Sequence, residues 1–221
     1  MSVVFKERSY DLIIDLRGER REIPRVQYLA SRLGVRKLSF PEIFFSKEEK
    51  VKILKDFPFL KERKVKIAVS PGSGWECKKW QREKWVNLVE ILKRKYSALI
   101  IEMGKNEKSL NLGINLVDKT SLREAAGVLS ECNLFIGCDS GLMHLALAVN
   151  TPTIALFGPT APEIIVGKRQ NFYPVKSPLS CQGCWNKGIM KHPDTCPYGV
   201  AECMRKIKVE EIVNILRNLS F

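Results

Sequence analysis

At 221 residues with 45% hydrophobic side chains, the chain is long enough for one full domain and part of a second. Its 37 Lys and Arg against 24 Asp and Glu leave a formal charge of +13, a field that draws phosphates and acidic surfaces from a distance. No apolar run approaches the length of a membrane span, and residues 1–10, broken by Lys6, Glu7 and Arg8, lack the apolar core of a secretory leader, so a soluble cytoplasmic protein is expected.

In chain order, Ser46-Lys47-Glu48-Glu49 reads as a capping box that opens a helix. The charged stretch 57–64 is the expected boundary between a small part, 1–63, and a larger one, 64–221. Residues 65–70 predict a short apolar strand that runs into Pro71-Gly72-Ser73-Gly74 and the tryptophan-rich, basic segment Trp75 to Trp80. Val86, Val89 and Leu92 then carry helical spacing. A second strand over 98–103 ends at Gly104-Lys105-Asn106-Glu107, and Ser121 with Glu124 forms a second capping box for a helix to about Glu131. The apolar Leu134-Phe135-Ile136 stops at Gly137-Cys138-Asp139-Ser140-Gly141, and a helix over 142–149 follows at once. A further strand, 153–157, ends at Gly158-Pro159-Thr160.

Strands and helices thus alternate over about 65–165, the pattern of an α/β, doubly wound parallel sheet with helices on both faces. Ligands bind such sheets at the carboxyl ends of the strands, where these glycine-bearing loops would all lie. The junction at Asp139 to His144 is the sharpest candidate. Unpaired N–H groups at a helix start, at the positive end of its dipole, make a phosphate site. Asp139 or Ser140 is expected to cap that helix, with His144 in its first turn facing the same mouth. A capped turn with a solvent-facing histidine is the plainer alternative.

Farther along, Cys181-Gln182-Gly183-Cys184 is followed by Cys196 and Cys203 in a loop-like segment, 181–203. Four thiolates at such spacing can hold structural zinc or iron, and a disulfide or free thiols are the other readings. Cys77, Cys132 and Cys138 read as separate from that group, and Trp80 and Trp85 as packing residues. An amphipathic helix over 207–221, with Ile212, Val213, Leu216 and Leu219 on one side, closes the chain.

Asp139-Ser140-Gly141 with His144, the Phe157-Gly158-Pro159-Thr160 loop, and Pro71-Gly72 followed by Lys78 and Trp80 resemble the family 9 glycosyltransferases, the ADP-heptose:lipopolysaccharide heptosyltransferases. The resemblance covers the donor-binding part, about 64–221, and extends to the cysteine cluster. It implies a GT-B-like architecture, with a shortened Rossmann-like acceptor part at residues 1–63. It further implies inverting transfer of a sugar, heptose from ADP-heptose, to a lipopolysaccharide-core or other saccharide acceptor, with no cofactor or metal in catalysis. Under it, Ser73, Gly74 and Lys78 contact the donor diphosphate. Asp139, Ser140, Gly141, His144 and Thr160 close on phosphates and sugar, and Asn106 or Glu107 meets the ribose or base. Lys78 stabilises the leaving group; an ordinary solvated lysine is the alternative. Residues 10–18 resemble a strand and turn of the family's acceptor domain, and a helix over 22–33 can follow. The family's glycine-rich loop with its catalytic aspartate has no counterpart before them, which leaves Asp15 as the candidate base; a turn cap, or a partner for Arg17, is the alternative role. A non-catalytic or partner-dependent nucleotide-sugar-binding module is therefore the second functional reading. The positive charge then fits an anionic glycolipid acceptor and peripheral association with the inner membrane face, and no nucleic acid is expected.

Overall fold

A computed structural model of the protein describes residues 40–199 and 201–219. Among them is a six-stranded sheet of β1 (Lys66–Ser70), β2 (Leu99–Glu102), β3 (Ile114–Asn115), β4 (Leu134–Cys138), β5 (Thr153–Phe157) and β6 (Phe172–Lys176). The strands lie in the order β3-β2-β1-β4-β5-β6 and all pair in parallel. From β1 the chain winds outward to β2 and β3, and from β4 the other way to β5 and β6. The reversal falls between β1 and β4, whose ends are in register with Ser70 beside Gly137. A crevice opens there in sheets of this kind.

The helices are α1 (Lys47–Asp56), α2 (Arg82–Tyr96), α3 (Leu122–Ser130), α4 (Gly141–Ala148), α5 (Pro162–Ile165), α6 (Glu202–Lys206) and α7 (Val209–Arg217), with 3₁₀ turns at Pro58–Lys61 and Glu76–Lys78. They cover both faces, and this explains why every residue of β4 and β5 is buried: a strand covered twice has no polar side. Alternate residues divide between two cores. Ile67, Val69, Ile136 and Leu156 pack with Trp85, Leu88 and Ile212 of α2 and α7. Ala68, Phe135, Ala155 and Phe157 pack with Ile53, Leu129 and Met143 of α1, α3 and α4. Each fully buried Leu, Ile or Phe contributes about 1.5–3 kcal/mol from water exclusion.

Both capping boxes form. Glu49 N–H donates to Ser46 Oγ at 3.2 Å and Ser46 N–H to Glu49 Oε2 at 2.8 Å; Glu124 and Ser121 repeat the exchange at 3.2 and 2.8 Å. Trp80 and Trp85 are buried, meeting edge to face at 5.2 Å, and Trp80 Nε1 donates to Ile207 O at 3.1 Å. They thus fasten the chain's last helices to α2.

Three readings are corrected. The edge strand β6 was not anticipated, because Pro174 interrupts its run; Pro fits an edge, where one missing donor leaves no ladder bond unmade. The cysteine-bearing segment is not loop throughout: its last two residues, Glu202 and Cys203, begin the short helix α6. The closing helix is shorter than 207–221, running Val209–Arg217 with three buried residues, Val209, Ile212 and Leu216. The strand and turn over 10–18, the helix over 22–33 and Asp15 lie outside the described residues.

Candidate functional site

Four loops meet at the carboxyl edge of the sheet. β1 and β4 are neighbours, so the loop after β1 passes beside the start of α4, and Cys138 Sγ approaches Pro71 O at 3.8 Å. From the 3₁₀ turn after β1, Lys78 Nζ reaches Asp139 Oδ2 at 2.7 Å, with side-chain exposures of 13% and 6%. The same oxygen accepts from Thr160 Oγ1 at 2.8 Å, carried by the loop after β5. Lys78 Nζ also stands 4.1 Å from the centre of the Trp75 ring, whose negative face attracts a cation. The ammonium is therefore held in place before any ligand arrives.

The start of α4 differs from the expected cap. Ser140 occupies the N-cap position but makes no side-chain cap bond, and its Oγ is buried without a partner. Asp139 is taken by Lys78, 61 residues away in sequence, and by Thr160. The first bond within the helix runs from His144 N–H to Ser140 O at 3.4 Å, leaving the N–H groups of Gly141, Leu142 and Met143 ahead of it without helical acceptors. A Cβ at Gly141 would meet nothing within 4 Å, so the first residue of α4 faces open space, two residues along the chain from the Asp139 that holds Lys78. An anion there would find amide donors, a helix dipole and an ammonium together.

His144 stands exposed in the first turn of α4. Protein atoms crowded around the crevice remove hydration from its imidazolium and hold its pKa below the ordinary histidine range; Asp139 opposes this and Lys78 reinforces it. Ser73 Oγ accepts from Trp75 N–H at 3.4 Å and Gly74 faces open space.

The loop after β2 separates the two candidates named for the ribose or base. Asn106 is exposed in a left-handed conformation with φ 54°, and its N–H donates to Asp118 Oδ1 at 2.9 Å. Glu107 is the residue that turns inward. Its carboxylate lies over Gly72 and Gly104 so closely that a Cβ on either would fall within 2 Å of it, so a side chain at either position would displace the carboxylate. Burial raises the Glu107 pKa to about 7, with Glu102 and Asp118 adding to the effect and Lys79 opposing it.

Cys181, Cys184, Cys196 and Cys203 line one cavity of about 170 Å³. Cys77 lines it too, which corrects its reading as a separate residue; the contact spans more than a hundred residues and leaves no local signal. Burial lifts the Cys77 and Cys203 thiols to about 11 and raises Cys184, with Cys181 and Cys196 reinforcing the shift at Cys184. Cys132 and Cys138 stand apart in the core, both raised to about 12 by burial. Among the described residues, no three His, Cys, Asp or Glu side chains are drawn close enough to hold a metal ion.

The sequence reading missed the residues that join this cavity to the crevice. Trp185 meets Trp75 edge to face at 4.7 Å, Asp194 Oδ1 accepts from Cys77 N–H at 2.9 Å, and Gln182 Nε2 donates to Thr160 O at 2.8 Å.

Residues 17–192 match the model of glycosyltransferase family 9 (heptosyltransferase). Lipooligosaccharide heptosyltransferase 2 of Campylobacter jejuni is 28% identical over 175 residues, covering 73% of this chain and 53% of that protein. The structure of E. coli ADP-heptose LPS heptosyltransferase II superposes with a TM-score of 0.64 at 20% identity, over 83% of this chain and 54% of that one. The dodecameric iron-containing heptosyltransferase TibC, solved with ADP-D-β-D-heptose, gives 0.60 at 20% identity, over 72% of this chain and 47% of that one. Both structures share its fold, and the chain spans about half the length of the curated relatives it matches.

Proposed function

Since the chain belongs to glycosyltransferase family 9, we propose that it binds ADP-heptose and transfers the heptose, with inversion, to a lipopolysaccharide-core or other saccharide acceptor. One observation carries the reading: at the sheet's reversal point, Lys78 is held by Asp139 immediately ahead of the uncapped start of α4, whose first residue faces open space. A pyrophosphate placed there would exchange water for amide donors and a fixed cation.

In the proposed reaction, the acceptor hydroxyl oxygen attacks the anomeric carbon from the face opposite the diphosphate. The carbon–oxygen bond to the β-phosphate breaks, and its electron pair passes to the departing ADP. Lys78 and the amides of Gly141, Leu142 and Met143 compensate that growing charge; such preorganised donors are worth most where water is excluded. Asp139 and Thr160 keep the ammonium aimed, and Ser73, Gly74, Ser140 and His144 border the phosphates and sugar. The Glu107 carboxylate offers an acceptor for ribose hydroxyls. The acceptor's proton passes to a carboxylate, for which Asp15 is the candidate, in the part formed by residues 1–63; the donor part is 64–221. Charge compensation is assigned to the chain's own groups, and no metal takes part.

The proposal includes a structural zinc or iron held by Cys181, Cys184, Cys196 and Cys203. Four thiols are donors that suit either ion; they line one cavity but are not drawn together among the described residues, so the ion would have to gather them. It would order the loop and supply no step of the transfer. The charge of +13 suits an anionic glycolipid acceptor at the cytoplasmic face of the membrane.

One observation favours the second reading, a nucleotide-sugar-binding module. Among the described residues, the carboxylates brought to the crevice are already engaged, Asp139 by Lys78 and Thr160 and Glu107 over Gly72 and Gly104. Assay of heptose transfer from ADP-heptose to a lipopolysaccharide-core acceptor, alongside thermal shift with ADP, separates the two. Turnover that falls on the order of a hundredfold in Lys78→Ala supports the enzyme. A shift without turnover supports the module, and no shift with any nucleoside diphosphate overturns both.

A further inference from the structure

Lys78 and Thr160 arrive from loops after different strands, yet both place a donor on one oxygen, Asp139 Oδ2, at 2.7 and 2.8 Å. Something besides that oxygen must hold the loops together, because three groups meeting on one point are easily parted by a small shift of either backbone. The segment of residues 182–194 makes those links. Toward the β5 loop, Gly183 N–H donates to Gly158 O at 3.1 Å, Trp185 N–H to Pro159 O at 2.9 Å and Gln182 Nε2 to Thr160 O at 2.8 Å, while Asn186 Oδ1 accepts from Ala161 N–H at 2.8 Å. Toward the β1 loop, the Trp185 ring meets the Trp75 ring at 4.7 Å and 69°, and Asp194 Oδ1 accepts from Cys77 N–H at 2.9 Å. Trp75 is the ring beneath the Lys78 ammonium, and Cys77 is the residue before it.

We propose that Trp185 and Asp194 are positioning residues for the diphosphate grip: they clamp the 75–78 loop against the 158–161 loop and so set where Lys78 stands relative to the start of α4. The inference deepens the donor-site reading and rests on it for the identity of the ligand. Trp185 sets the tilt of the Trp75 ring, and with it the surface on which the ammonium lies. Asp194 fixes the backbone one residue before the lysine. The two contacts act at right angles in function, one on the side chain's bed and one on its root, so loss of either lets the ammonium drift from Asp139. Because both anchors belong to the cysteine-bearing segment, the order of that segment becomes the order of the donor grip.

The test uses the full chain in two arms. In the first, ADP affinity is measured by titration calorimetry. Trp185→Ala is expected to weaken it about fivefold, the size of a lost edge-to-face contact, and Trp185→Phe to restore it to within about twofold. Asp194→Ala is expected to weaken it about threefold. In a Lys78→Ala background, none of these substitutions should weaken ADP binding further, since there is no lysine left to position. An equal further loss in that background would show a general structural role and overturn the proposal. The second arm needs no ligand: the coupling between Lys78→Met and Asp139→Asn, read from melting temperatures, should fall by about half when Trp185 is Ala. Unchanged coupling overturns the proposal whether or not ADP binds. Reduced coupling in a chain that binds no ADP would sustain the positioning role while rejecting the donor reading.

Discussion

The Lys78–Asp139 pair can be broken from either side, and the pair's burial sets the size of the effect. At 2.7 Å, with exposures of 13% and 6%, the gross attraction is about 6 kcal/mol at an effective dielectric of about 20, and most of it offsets the cost of taking both charges from water. Removing one partner keeps that cost for the other. Lys78→Met should therefore destabilise the protein by about 3 kcal/mol, the lower part of the range for buried pairs because the lysine retains some solvent. For a chain of this length that is a fall in Tm of roughly 6–12 °C. Asp139→Asn should cost somewhat less, since the amide oxygen still accepts from Thr160 Oγ1. The double variant, having no charge left to strand, should lie within about 1 kcal/mol of the parent, a coupling of about 4 kcal/mol. Chemical denaturation of the four proteins measures the cycle, and calorimetry with ADP shows whether the restored double variant is folded yet poor at binding. Single variants that each lose under about 0.5 kcal/mol, or a double variant that loses their sum, would refute the reasoning.

Three further outcomes are expected. Because the Glu107 pKa rises from 4.5 to about 7 in the folded protein, the native state keeps a proton that the unfolded chain has released, and stability falls as pH rises through that window. Glu107→Gln should match the parent near pH 4 and exceed it at pH 8 by about 1–2 kcal/mol, the partial exposure reducing an upper limit of about 3; urea melts at the two pH values check this, and no pH-dependent difference would contradict it. Since the His144 pKa is lowered, the ring is neutral at pH 7 and gains its charge only under acid conditions, so ADP affinity should rise more steeply on acidification in the parent than in His144→Gln. Comparing the two calorimetric profiles cancels the ligand's own titration, and superimposable profiles would remove His144 from the site. Elemental analysis should find about one equivalent of zinc or iron, lost in Cys181→Ser/Cys184→Ser together with a fall in Tm; less than about a tenth of an equivalent would argue against a bound ion.

Features decided within a few residues were legible in the sequence. The capping boxes at Ser46 and Ser121 depend on a three-residue spacing and form as read, and apolar runs that stop at glycine mark β1, β4 and β5. Glu107 was named with Asn106, and only the packing of its carboxylate on Gly72 and Gly104 tells the inward residue from the outward one, since adjacent polar residues in a loop carry no facing signal. The expected cap at α4 failed for a long-range reason: an ion pair and a hydroxyl from two other loops take the aspartate that would have served the helix. β6 was concealed by Pro174, whose cost depends on whether the strand is central or at an edge, a property of topology. Cys77 joining a cavity with cysteines beyond residue 180, and Trp75 meeting Trp185, are encounters that only the folded chain arranges.

A crystal of the full chain soaked with ADP tests the central claim most directly. Pyrophosphate density is expected against the amides of Gly141, Leu142 and Met143, with Lys78 Nζ within hydrogen-bond distance of a phosphate oxygen and the ribose toward Glu107. ADP bound at another edge of the sheet, or bound there with Lys78 turned away from its phosphates, would contradict that claim.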